Sequence, residues 1–301
     1  MVHLALVVVQ LLFASLAIAG RYVLRELPPG ALVLFRVAGA ATVLTLVNGL
    51  RGGPWVRDRR DLRRLVVLGL LGIAANQTLF LFGLRHTTAI NATILVSSTP
   101  VFTVLGSVLL GREPPSALKL AGIALAAAGT VYLIGPERIS LAPSEALGNL
   151  LIVLAMMCYS AYFIFAKDVV SRYDSLTMSA YVMVGGLAGV LPVGLMGLSA
   201  LHPASVHPAT WAWAAYIVAF PTIVTYLLNI WALGRASSNV VAVYIYLQPI
   251  FAAAIAPLVL TGESLTARAV GAGLAIFAGL ALVLWAESRQ RREVAIEPVG
   301  E

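Results

Sequence analysis

The side chains that could do chemistry here are few, and all lie in apolar surroundings. Pro100 and Pro249 each fall in the middle of an apolar run. A proline at such a place removes a backbone donor and clashes with the preceding turn, freeing carbonyls near Val96 and Ile245. Beside the first proline stand Ser97, Ser98 and Thr99; beside the second stands Gln248, with Tyr244 one turn earlier on the same face. Asn76 and Phe80 are spaced i, i+4, while Thr222, Thr225 and Asn229 share one helical face at i, i+3 and i+7. Tyr159, Tyr162 and Tyr226 add rings with hydroxyl tips. Such residues suit a cavity that holds a small organic solute by hydrogen bonds and ring contacts. The alternative is that the hydroxyls bond back to their own backbone and the rest pack between helices. Arg36 is the charged residue well inside an apolar run. It is either a clamp for an anionic group of a substrate or a side chain that snorkels outward or bonds loop carbonyls of the first hairpin.

What is missing narrows the chemistry further. The acidic residues, from Glu26 to Glu301, and the four histidines fall in loops, at run ends or in the tail. Without a buried carboxylate or imidazole there is no intramembrane proton relay, no acid/base pair for an enzyme and no metal site. The expectation is a protein that is not an enzyme, needs no cofactor or metal, and moves solute by uniport, exchange or a coupling without a buried carboxylate. The sequence has no phosphate-binding loop of Walker spacing. The single cysteine, Cys158, lies in an apolar run and reads as packing.

The elements that must position these residues are transmembrane helices. The chain is 60% hydrophobic and 11% charged, against roughly 25% charged residues in a soluble domain. Apolar runs near the roughly 20 residues a membrane crossing requires occur at 4–20, 31–50, 65–84, 88–110, 117–134, 147–166, 176–198, 211–233, 239–260 and 267–286. The first run ends in Ala17-Ile18-Ala19, like a signal-peptide site, but no Lys or Arg precedes it, which favours a retained helix. The net charge of +7 reads as a topology signal and does not imply nucleic acid. With a cytoplasmic N-terminus, the inner side holds fourteen basic residues: Arg51, Arg57, Arg59, Arg60, Arg63, Arg64, Arg112, Lys119, Lys167, Arg172, Arg235, Arg289, Arg291 and Arg292. The outer side holds five, Arg21, Arg25, Arg85, Arg138 and Arg268, so both termini are expected inside.

Sliding the chain against itself by 149 or 150 residues pairs Pro100 with Pro249, Glu113 with Glu263, and Ala121, Gly122 and Gly129 with Gly271, Ala272 and Gly279. An odd number of crossings per copy inverts the second copy, the plan of many transporters with a midplane site between the repeats. The small residues of these two runs allow close helix approach, within one chain or between two.

This arrangement resembles the EamA type of the drug/metabolite transporter superfamily. The likeness rests on Ala89 to Pro100 leading to Gly111-Arg112-Glu113, Gly122 and Gly129, and on Val240 to Pro249 leading to Gly262-Glu263, Gly271 and Gly279. Glu26-Leu27-Pro28-Pro29 followed by Arg36 looks like that family's first hairpin; the second copy differs by one extra residue at Leu260-Thr261-Gly262-Glu263. The resemblance implies an inner-membrane carrier with a central cavity lined mainly by spans 1, 3, 4, 6, 8 and 9. The expected fold is an all-α integral membrane protein of ten transmembrane helices in two inverted five-helix repeats, 1–140 and 141–286, with a disordered cytoplasmic tail at 287–301. The expected function is export or exchange of small metabolites, such as amino acids, by alternating access. The alternative is a non-transporting component, such as a flippase partner for a lipid-linked substrate or a scaffold. A functional monomer is expected, with a homodimer as the alternative. Two lysines among the 20 basic residues suggest a GC-rich bacterial genome and hence a bacterial inner membrane.

Overall fold

The computed structural model describes all residues except 88, 136, 138–142, 252–253, 255–266 and 297–301. Among the described residues there are helices and turns but no strand. We number the helical segments in chain order. They are α1 (Val2–Val23), α2 (Pro29–Leu50), α3 (Arg59–Gly69, a π-helical turn Leu70–Ala75, then Asn76–Arg85) and α4 (Ala89–Val96 and Thr99–Leu109). Next come α5 (Ala117–Ile134), α6 (Ala146–Val170), α7 (Ser175–Ser199) and α8 (Pro208–Ile217, a second π-helical turn Val218–Val224, then Thr225–Leu233). The last are α9, which begins with Ser238–Val243 and the tighter turn Tyr244–Tyr246, and α10 (Ala267–Ile296). Seven described stretches are long and apolar enough to cross a membrane, and three shorter apolar helices, Val2–Leu16, Ile94–Leu109 and Ser238–Phe251, accompany them. Large apolar side chains such as Leu46, Leu109, Met196 and Leu274 point outward, the surface a bilayer would cover. Glu263, which carries the second-copy motif, lies outside the described residues.

Local chemistry starts the helices. Asp58 accepts from the Arg60 N–H, Ser116 from that of Lys119, and Ser237 from that of Val240, while prolines open α2 and α8. Glycines then let backbones meet. A Cβ on Gly197 of α7 would stand 2.2 Å from the Ala31 nitrogen of α2, and one on Gly279 of α10 would stand 2.5 Å from the Gly122 carbonyl oxygen of α5. The small residues of the fifth and tenth runs therefore pack together within the chain. Besides the pairs α2 with α7 and α5 with α10, α3 packs on α6 and α7, and α8 packs on α1 and α2.

Charges tie the helix ends at one end of the bundle. Arg112 grips Asp168 through two bonds of 2.6 and 2.9 Å, and Arg172 bonds Asp61 at 2.7 Å. Lys167 donates to the carbonyls of Leu233 and Ala236 at 2.7 and 2.8 Å. The opposite end has its own ties, from the His207 N–H to Glu26 at 2.8 Å and from Arg268 to Glu137 at 2.7 Å. The tail expectation needs correction. Residues 287–296 continue α10 as helix, with Glu287 paired to Lys119 and Arg289 over Trp285, contacts that a disordered tail lacks, while 297–301 lie outside the described residues.

Asp174 caps α7, accepting from the Leu176 and Thr177 N–H groups and from Arg51. Partial burial works against its charge, yet the bonds from Thr177 and Arg51 outweigh that and hold its pKa below the usual carboxylate value. A depressed folded pKa contributes stability above the unfolded value and loses it as pH falls through the folded one. Asp174→Asn keeps the capping oxygen and removes the charge. It is expected to cost up to about 1 kcal/mol at pH 7, discounted for exposure. In denaturation curves against pH that deficit should shrink below about pH 4 and disappear in stronger acid.

Candidate functional site

The two π-helical turns organise the site. Leu70–Ala75 in α3 and Val218–Val224 in α8 fall at equivalent places under the 149-residue offset, so Asn76 and Thr225 each open the helix that follows. Pro221 gives a local cause for the second, since it cannot donate to the ladder. The first has Gly72 in its middle, where a Cβ would stand 2.4 Å from the Tyr162 ring. The wider turn redirects hydroxyls: Thr222 donates to the Ile217 carbonyl at 2.8 Å and Thr225 to that of Phe220 at 3.2 Å, both five residues back.

Around these turns lies a buried polar cluster from α2, α3, α6 and α8. Arg36 donates from Nε to Thr222 Oγ1 at 3.1 Å and lies within electrostatic reach of Tyr226. The residue is half-buried, and among the described residues it bonds no carbonyl of the first hairpin. Tyr159 and Tyr162 stack with ring centroids 5.9 Å apart and planes 5° from parallel, and both also lie within electrostatic reach of Tyr226. Among the described residues, the Tyr159 and Tyr162 hydroxyls and both amide atoms of Asn229 are buried without a hydrogen-bond partner, and the buried Gln77 amide lies against the Tyr226 hydroxyl. Most buried polar groups find partners, and an orphan costs roughly 1–3 kcal/mol. Asn76 is engaged, donating to the Ala155 carbonyl at 3.0 Å, and Phe80 packs with Ala92, Ile152 and Met156.

The residues beside the prolines are placed differently. The Ser98 hydroxyl donates to the Leu95 carbonyl at 2.6 Å and that of Thr99 to Val96 at 2.7 Å, so both bond back to their own helix, and the Thr99 hydroxyl caps the Val96 carbonyl that Pro100 leaves free. Ser97 and Pro100 are buried, and the Ser160 hydroxyl donates to the Thr99 carbonyl at 3.0 Å. In α9, the Tyr244 hydroxyl meets His3 Nδ1 at 2.6 Å and Gln248 donates to Gln10 at 2.7 Å, while Pro249 is buried. These pairs zip α9 to α1. An open cavity of about 430 Å³ lies at the foot of that seam, lined by His3, Arg235, Val240, Leu284, Glu287 and Ser288. It is at the charged end, not between the two prolines.

Gln77 and Gln10 were missed in the sequence, although the repeat offset pairs Gln77 with Tyr226 and Gln10 with Tyr159, and both tyrosines stood out. That register is the signal that finds them.

Comparison with known proteins gives this arrangement a family. The EamA-like transporter family matches residues 1–135 and 146–285. An uncharacterized transporter of Archaeoglobus fulgidus is 29% identical over 93% of this chain and 96% of its own length. A "probable terminal-alkyne amino-acid exporter" of Streptantibioticus cattleyicolor is 28% identical over 97% of this chain and 96% of its own. A crystal structure with 20% identity superimposes with a TM-score of 0.80, covering 96% of this chain and 98% of that one, and so shares the fold. The chain belongs to the EamA-like transporter family.

Proposed function

We propose that the protein carries small organic solutes, amino acids or similar metabolites, out of or across a bacterial inner membrane by alternating access at the α2, α3, α6 and α8 cluster. The seven long apolar stretches and three shorter helices make ten crossings in two inverted repeats, with both termini cytoplasmic and the monomer as the working unit. The pairings support this reading: exchanging each helix of the first five with its counterpart in the second turns α3 on α6 into α8 on α1, and α3 on α7 into α8 on α2. The relative named as an amino-acid exporter supports the solute class and the direction.

The observation that carries the proposal is the set of buried polar atoms without protein partners, contributed by Asn229, Tyr159 and Tyr162. A scaffold gains nothing from such orphans, whereas a binding site needs them free for its solute. Reconstituted into liposomes, the purified protein is expected to give saturable uptake of labelled amino acids or related metabolites without an imposed pH gradient. Absence of uptake of every solute by folded protein would instead favour the scaffold or flippase-partner role. Asn229→Leu, near-isosteric and apolar, is expected to raise stability by about 1 kcal/mol while lowering uptake severalfold. Equal uptake would remove Asn229 from the site.

A further inference from the structure

The cluster holds a single formal charge. A guanidinium stays protonated in proteins and offers five N–H donors in a planar fork. Only the Nε–H of Arg36 has an acceptor among the described residues, Thr222 Oγ1, and no carboxylate pairs with it there. The Thr222 hydroxyl spends its proton on the Ile217 carbonyl, so it can only accept from Arg36, which fixes the direction of the guanidinium. That direction is inward. Arg36 is seven residues past Pro29, about 10 Å along the axis, and Thr222 is fourteen past Pro208, about 21 Å. An arginine near a helix end ordinarily snorkels toward water; by this count the half-buried Arg36 instead bonds a residue further along its helix from the same end, where an uncompensated cation is costly.

We propose that the missing counter-charge arrives with the substrate, and that the site selects solutes carrying one carboxylate and no positive charge. The free η N–H pair of Arg36 grips the two carboxylate oxygens side by side. The orphan amide of Asn229 and the hydroxyls of Tyr159 and Tyr162 take neutral polar groups of the solute, and the stacked rings face its apolar body. A plain amino acid brings an ammonium for which the described cluster has no acidic partner, so an N-acylated amino acid or another monocarboxylate fits better. This inference rests on the carrier reading.

The test is a matched pair differing only in that charge: N-acetyl amino acids against the corresponding N-acetyl amides. Binding is read as a rise in the unfolding temperature of the purified full-length protein, followed through a thiol-reactive dye on Cys158, and transport as inhibition of uptake in liposomes. The acids are expected to act at concentrations at least about tenfold lower than the amides. Arg36→Gln should abolish that preference and Arg36→Lys retain part of it. If Arg36→Gln does not fold, Thr222→Val, which removes the acceptor that aims the guanidinium, should weaken the response to acids severalfold. Amides as effective as acids, or variants that respond to acids like the wild type, would overturn the inference and leave the carrier reading standing. Failure of acids and amides alike while labelled amino acids are still taken up would overturn the inference alone, and failure of every solute in both assays would overturn both.

Discussion

Lys119→Met is expected to cost about 3 kcal/mol, near the lower end of what breaking a buried ion pair costs. Lys119 sits in the first turn of α5, yet its side chain is only 3% exposed. Its ammonium lies 3.0 Å from Glu113 and 2.5 Å from Glu287, which brings the loop after α4 and the end of α10 onto one cation. Glu113 also accepts from Asn239 at the start of α9. Removing the lysine leaves two carboxylates facing each other where water reaches them only in part, since they keep 19% and 12% exposure. That residual access sets the lower end of the range. Thermal unfolding of single and double variants separates repulsion from packing. Adding Glu113→Gln or Glu287→Gln to Lys119→Met should recover much of the loss, because each takes away one of the two repelling charges. A double variant no better than Lys119→Met would mean that the lysine stem, not its charge, holds the four elements together.

This network marks a boundary of what the sequence discloses. Apolar length placed the helices well: the fifth run and α5 share the bounds Ala117–Ile134, and the small residues of the fifth and tenth runs meet within the chain, one of the two arrangements their spacing allowed. Helix-end charges are another matter. Lys119, Asp61 and Glu287 fall at run ends or in the tail by sequence, but each is buried, because partners more than a hundred residues away close over them. The π-helical turns show the same divide. Pro221 could have announced the one in α8, whereas the one in α3 has no proline and coincides with the packing of Gly72 against Tyr162, a tertiary contact that no local pattern reveals. The Ser98 and Thr99 hydroxyls stayed ambiguous for a local reason: the same side chain can line a cavity or cap a freed carbonyl, and only geometry decides.

Gly69→Val should be worse than the loss of any one charge, at about 4 kcal/mol, above the usual 1–3 kcal/mol for overpacking. A Cβ at Gly69 would stand 2.3 Å from the Val182 carbonyl oxygen and 2.4 Å from the Gly186 nitrogen of α7. Both are backbone atoms, so no rotamer change can make room. The helices must separate along the whole contact, and in a membrane, where packing is the main force between helices, that separation is not repaid by burying apolar surface elsewhere. Gly49→Ala supplies the control. Nothing lies within 4 Å of a Cβ there, and helix propensity alone should leave the protein unharmed or stabilised by up to about 1 kcal/mol. Unfolding curves of the two variants therefore separate close approach from propensity. Similar curves would mean that α3 and α7 tolerate a wider spacing than their backbones adopt. The site feels the difference as well, because the π-helical turn begins one residue after Gly69 and carries the chain to Asn76 and Gln77. A helix pushed off α7 at that point carries the Gln77 amide away from Tyr226, so uptake should fall together with stability, whereas Asn229→Leu lowers uptake while stability rises.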